Sequence, residues 1–100
     1  MSSFSLTVDA NNNLIQLGGE LSFSTVSQIL EQSEKSFEPI NALDIDLAQV
    51  SRSDSAGLAL LVHWIRQANS SNKKIVFHNI PKQMLAIADV SGLNELLPIQ

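Results

Sequence analysis

The sequence predicts an α/β domain: a mixed sheet of about four strands, one antiparallel and the rest parallel, flanked by helices. Two short apolar–polar segments open the chain and are joined by Asp9-Ala10-Asn11-Asn12-Asn13. Beyond them helical and strand spacing alternate to the end of the chain. Strands separated by helices pair in parallel through right-handed crossovers, and the opening hairpin adds one antiparallel strand.

Each element has its own signature. Phe4-Ser5-Leu6-Thr7-Val8 alternates with the period of a half-buried strand. Asp and Asn at 9–13 tolerate left-handed backbone and make a turn. Leu14-Ile15-Gln16-Leu17 is the returning strand. Gly18-Gly19-Glu20-Leu21 breaks that pattern, and Ser22 or Ser24 is suited to cap a helix. Val26, Ile29, Leu30, Ser33 and Phe37 give the helix one apolar side, and Glu38-Pro39 ends it, because a residue before proline is driven out of helical backbone.

Leu43, Ile45 and Leu47 alternate with Asp44 and Asp46 in a third strand. Leu58, Leu61, Val62, Ile65 and Ala68 mark the buried face of a second helix, and 69–72 is a loop. Ile75-Val76-Phe77 has the continuous apolar character of a strand covered on both faces. Pro81 suits the first turn of a third helix, Met84, Leu85, Ile87 and Ala88 form its apolar side, and Gly92 ends it. Leu96-Leu97-Pro98-Ile99 is a short strand or a docked tail.

Composition narrows the function. One hundred residues with 44% apolar content fit a single domain over 1–100 with one core. There is no cysteine, hence no disulfide framework and no thiolate metal site. The N-terminal residues lack a secretory signal pattern, and no apolar run reaches the length of a membrane span. A net charge of −4 disfavours nucleic acid and anionic membrane surfaces.

Chemistry for catalysis is absent. His63 and His78 fall on different elements without metal-ligand spacing. Ser55 has only Asp54 beside it, a poor base for a serine, and no glycine–serine–glycine elbow or P-loop surrounds it. Asp46 and Asp54 are placed to approach each other where the third strand ends, although negative charge near a helix N-terminus needs no cation to be favourable. The sequence therefore indicates no enzyme, no metal and no cofactor.

The informative stretch is Val50-Ser51-Arg52-Ser53-Asp54-Ser55-Ala56-Gly57-Leu58, where a strand passes to a helix. Ser53, Asp54 and Ser55 are all good N-cap types, and a cap is worth about 1 kcal/mol without any other role. The C-terminal edge of a parallel strand is also where open α/β sheets place their sites. At about 100° per residue, Ala56, Leu60 and Gln67 point away from the Leu58 face, flanked by His63 and Trp64. Two readings follow. Trp64 folds along the edge of the core, or Ser55, Ala56, Leu60, His63, Trp64 and Gln67 form a partner surface, tryptophan being enriched at interface hot spots.

Asp46-Leu47 followed by Asp54-Ser55-Ala56-Gly57-Leu58 resembles the signature of STAS domains, the sulfate-transporter and anti-sigma-factor-antagonist fold. The resemblance covers nearly the whole chain in element order, includes Gly19-Glu20-Leu21, and is strongest from Ile45 to Ala68. Ser53 to His63 is most similar to the small cytoplasmic STAS subunit of the Mla phospholipid transporter of Gram-negative bacteria. That subfamily has threonine and glycine where this chain has Ser55 and Ala56, and serine keeps the hydroxyl.

The resemblance implies a non-enzymatic subunit of a lipid-asymmetry system. Such a subunit binds the ABC ATPase of an inner-membrane transporter and supports its assembly and activity. It stays cytoplasmic, peripheral on the inner membrane through its partner, with no membrane insertion of its own. In the family the hydroxyl residue after the Asp, here Ser55, is the partner-contact or regulatory position. The alternative is an anti-sigma factor antagonist switched by phosphorylation of Ser55. The short segment after Gly92, without the longer final helix of those regulators, favours the transporter subunit. A domain holding a small ligand at the sheet edge is a third reading.

Overall fold

The structure is a computed structural model, and it describes residues 3–98. Its elements are β1 (Phe4–Asp9), β2 (Leu14–Leu21), α1 (Val26–Ser36), β3 (Ala42–Ser53), α2 (Ser55–Ser70), β4 (Lys74–His78), α3 (Lys82–Val90) and a 3-10 turn (Asn94–Leu96). The strands lie in the order β1-β2-β3-β4. β1 and β2 are antiparallel, and the β2–β3 and β3–β4 pairs are parallel. This is the predicted mixed sheet. Both crossovers advance the sheet in the same direction, so the right-handed rule puts α1 and α2 on one face.

Burial follows from that arrangement. Ile15, Leu17, Leu43, Ile45, Leu47, Ile75 and Phe77 are buried under the helices. Their neighbours Gln16, Asp44, Asp46, Val76 and His78 point to the opposite face, and none is buried. β4 is thus covered on one face only, contrary to the expectation from its apolar run. Val76 belongs to the open face and is half-buried.

β2 runs four residues beyond Leu17, through the predicted break and both glycines. Gly18 admits β3, since a Cβ there would sit 2.8 Å from the Cβ of Gln49. Gly19 takes a left-handed φ of 82°, and its pairing with β3 shifts register on either side. Neither Ser22 nor Ser24 caps α1. Thr25 occupies that position, and its hydroxyl instead donates to the Glu20 carbonyl (2.7 Å) and accepts from the Ser22 N–H (3.0 Å). Pro81 precedes α3, and Gly92, at φ 72°, follows it. The tail docks: Leu97 is buried, and the Phe77 N–H donates to the Pro98 carbonyl (2.8 Å) at the outer edge of β4. Ile99 lies outside the described residues.

The main correction concerns α2. Leu60 and Trp64 are buried, at 4% and 1% exposure, and Val62 is only half-buried. A helix over a single sheet has one inward face, but α2 also packs sideways on α1 and so buries a second stripe. Trp64 sits within that seam. Its indole N–H donates to Ser33 Oγ (3.0 Å), and its ring lies 5.3 Å from that of Phe37, tilted by 52°. Such a tilted pair is favourable, and the hydrogen bond satisfies both buried polar groups. Trp64→Ala is expected to cost about 3–5 kcal/mol, read as a lowered urea midpoint. Trp64→Phe should cost less, keeping the ring but leaving Ser33 without its donor.

Candidate functional site

The N-terminal end of α2 is built around Asp54. Its extended backbone ends β3, and its Oδ1 accepts from the N–H groups of Ala56 (2.8 Å) and Gly57 (3.4 Å). Asp54 is therefore the cap among the three candidates. Its Oδ2 accepts from the Phe23 N–H (3.4 Å), and its own N–H donates to the Leu21 carbonyl (3.1 Å). One residue thus ties the start of α2 to the loop that leads into α1. Gly57 lets the helix come this close, since a Cβ there would lie 2.8 Å from the Leu21 carbonyl oxygen and 3.2 Å from the Met84 methyl.

With the cap filled by Asp54, the Ser55 hydroxyl is left exposed in the first turn. It borders an open groove of about 470 Å³ between α1 and α2, lined by Phe23, Val26, Ser27, Leu30, Ser55, Ala56, Ala59, Leu60 and His63. No charged side chain is among them. Leu60 forms part of the wall, and Phe23 stands at the lip with 80% of its surface exposed. His63 lines the same wall, and its Nε2 is buried without a hydrogen-bond partner among the described residues.

Four of the six expected site residues meet here: Ser55, Ala56, Leu60 and His63. Trp64 and Gln67 do not. They line a separate depression of about 290 Å³ beside Ser33, Glu34, Phe37 and Lys73, at the other end of the two helices. There the Lys73 ammonium donates to the carbonyls of Phe37 (2.7 Å) and Glu38 (2.9 Å) where α1 ends. The sequence reading missed Phe23, Val26, Ser27, Leu30 and Ala59. A signal for Phe23 existed, as a large apolar residue between two serines in a polar loop.

The groove is apolar, and the carboxylates around it are engaged elsewhere. Both Asp54 oxygens accept backbone N–H groups, so this carboxylate is not free to serve as a base for Ser55. The Arg52–Glu20 pair (3.8 Å) joins the ends of β3 and β2. Asp46, on the open face of the sheet, accepts from Asn79 Nδ2 (2.9 Å) and the Ala48 N–H (2.9 Å), and Asp44 lies 3.1 Å from His78 Nε2. Asp46 and Asp54 therefore have separate partners. Among the described residues no group of three His, Cys, Asp or Glu is placed to hold a metal ion.

The Asn79 and Ala48 bonds, with a smaller contribution from His78, hold the Asp46 carboxyl below its ordinary value against a small desolvation penalty. A depressed carboxyl adds stability above its unfolded pKa and loses it as pH falls through the folded one. Two predictions follow from these carboxylates. Asp46→Asn should be less stable than the parent at neutral pH, with the difference vanishing as the medium is acidified below about pH 4, measured by urea unfolding across the acid range. Asp54→Ala should cost about 1 kcal/mol or somewhat more, because it frees both the first turn of α2 and the Phe23 loop.

Comparison with known proteins gives three kinds of likeness. The family model described as "Mlab, STAS domain" matches residues 4–98. An intermembrane phospholipid transport system binding protein MlaB of Haemophilus influenzae is 35% identical, over 85% of this chain and 87% of its own. An anti-sigma-B factor antagonist of Staphylococcus epidermidis is 28% identical, over 85% of this chain and 80% of its own. Among solved structures, the anti-sigma factor antagonist SpoIIAA in its unphosphorylated form superposes with a TM-score of 0.71 at 19% identity, covering 97% of this chain and 87% of that one.

Proposed function

Because this chain belongs to the STAS domain family, with the MlaB type as its matching model, we propose that it is the non-enzymatic STAS subunit of a phospholipid transport system. In this reading it binds the ABC ATPase subunit of that system and supports its assembly and activity. The observation that carries the proposal is the uncharged groove that begins at Ser55 and is edged by the exposed Phe23. An aromatic anchor beside a desolvated apolar patch is the common make-up of an interface hot spot.

The groove also fits the absence of a reaction. It offers an apolar wall, the Ser27 and Ser55 hydroxyls and the His63 imidazole, and His63 stands about two helical turns from Ser55, so no base or oxyanion site adjoins that hydroxyl. No helix among the described residues is long and apolar enough to cross a membrane, so membrane association would come through the partner. The anti-sigma antagonist reading is supported by the Staphylococcus relative and by the free hydroxyl of Ser55 in the first turn of a 16-residue helix. A phosphate there would be favoured by the helix dipole.

One experiment separates the two readings. The chain is co-expressed with the ABC ATPase and the permease of its own transport system and purified through the ATPase. Co-purification is expected for the parent. It should fall at least tenfold for Ser55→Arg and Phe23→Ala, whose positions are exposed enough to spare the fold. Retention by neither the parent nor the variants, with the parent folded, defeats the transporter reading. Quantitative phosphorylation of Ser55 by a kinase-type anti-sigma factor would support the antagonist instead.

A further inference from the structure

A second surface lies on the far side of α1 from the groove. β1 is an outer strand, and its outer side is unpaired among the described residues. The Glu20 N–H donates to the Ser3 carbonyl (2.8 Å), one step beyond the Phe4–Gly19 pair of the β1–β2 register. Bonded and non-bonded pairs alternate in an antiparallel ladder. Ser3, Ser5 and Thr7 therefore direct their backbone groups to β2, and Phe4, Leu6 and Val8 present N–H and C=O outward.

Sheets guard such an edge with proline, lysine, a bulge or brevity. Among the described residues this edge has no proline, lysine or bulge, and its one charge is Asp9 at the far end. Phe4 to Val8 carries no charge and no proline. Its register with β2 runs unbroken through all six residues of the strand, and the bulges fall between β2 and β3. Above the edge, Phe4 with Gln28, Glu31, Gln32 and Lys35 of α1 lines a shallow depression of about 440 Å³. Glu31 and Lys35, both exposed, stand one helical turn apart with opposite charge.

We propose that a second copy of this chain adds across this edge, β1 against β1 and antiparallel, about a two-fold axis at Leu6. Two four-stranded sheets then become one continuous sheet. The same axis sets α1 antiparallel to its copy, with Glu31 of each helix facing Lys35 of the other. A two-fold interface must be self-complementary, and an acid and a base one turn apart on an antiparallel helix pair satisfy that condition. An unrelated extended peptide would gain the backbone bonds without the paired charges. Val26 and Leu30, which line the groove, lie on the other side of α1, so the edge and the groove can be occupied together.

Sedimentation equilibrium of the full chain is expected to show a reversible dimer. Leu6→Pro removes an outward N–H and spares the bonds to β2, so it should be monomeric with an unchanged circular dichroism spectrum. Lys35→Glu, at an exposed site that does not endanger the fold, should weaken the dimer at least tenfold, and adding Glu31→Lys should restore it. The chain has no native cysteine, so Ser5→Cys with Thr7→Cys reports the register directly. In this pairing Ser5 opposes Thr7 of the copy as a close non-bonded pair, and oxidation should give a covalent dimer. A chain that stays monomeric at millimolar concentration, or a dimer indifferent to Lys35→Glu and uncrosslinked by the cysteines, overturns the proposal. So does a monomer that takes up an extended peptide at β1.

Discussion

The Asp54 carboxylate is the constraint on which this arrangement depends. One oxygen closes the first turn of α2, and the other holds the backbone of Phe23. The Asp54 N–H is bound to the Leu21 carbonyl at the end of β2. Strand β2, the loop into α1 and the start of α2 are thus joined at one residue. Gly57 makes the junction possible, because any side chain there would meet Leu21 and Met84. The groove is the space left above this junction, and its width is set by how closely the two helices are drawn together.

The seam between α1 and α2 then divides into two parts. Toward the C-terminal ends of the helices it is closed by Trp64, Ser33 and Phe37. Toward their N-terminal ends it stays open, because Ser27, Ala56 and Ala59 are too small to fill it. The same helix pair supplies a stable core and an apolar surface without any change of fold.

Much of the fold was legible in the sequence. Period and turn residues locate each strand and helix, and the alternation of types fixes parallel pairing once the hairpin is recognised. What was not legible depended on contacts between elements. The glycines of β2 look like a strand break, yet they serve the close approach of Gln49 and a left-handed turn of the backbone. Leu60 and Trp64 look outward on a helical projection that knows only the sheet; burial against α1 appears only when a second helix is set beside the first. The same blindness hid Val26 and Leu30 as groove residues. Ser55 adjoins a cap signal, whereas Phe23 lies in a loop without periodicity, where its one mark is an apolar side chain between two serines.

Trp64 is the chain's single tryptophan, and it lies in the seam whose other half is the open groove. Its emission therefore arises from one defined place, quenched or shifted by what happens to the indole–serine bond. A binding event that prised α1 and α2 apart would move that spectrum toward the red as water reached the ring. One that merely filled the groove would leave it unchanged. The protein carries its own optical gauge of whether docking is rigid or spreads the helices, and it needs no label.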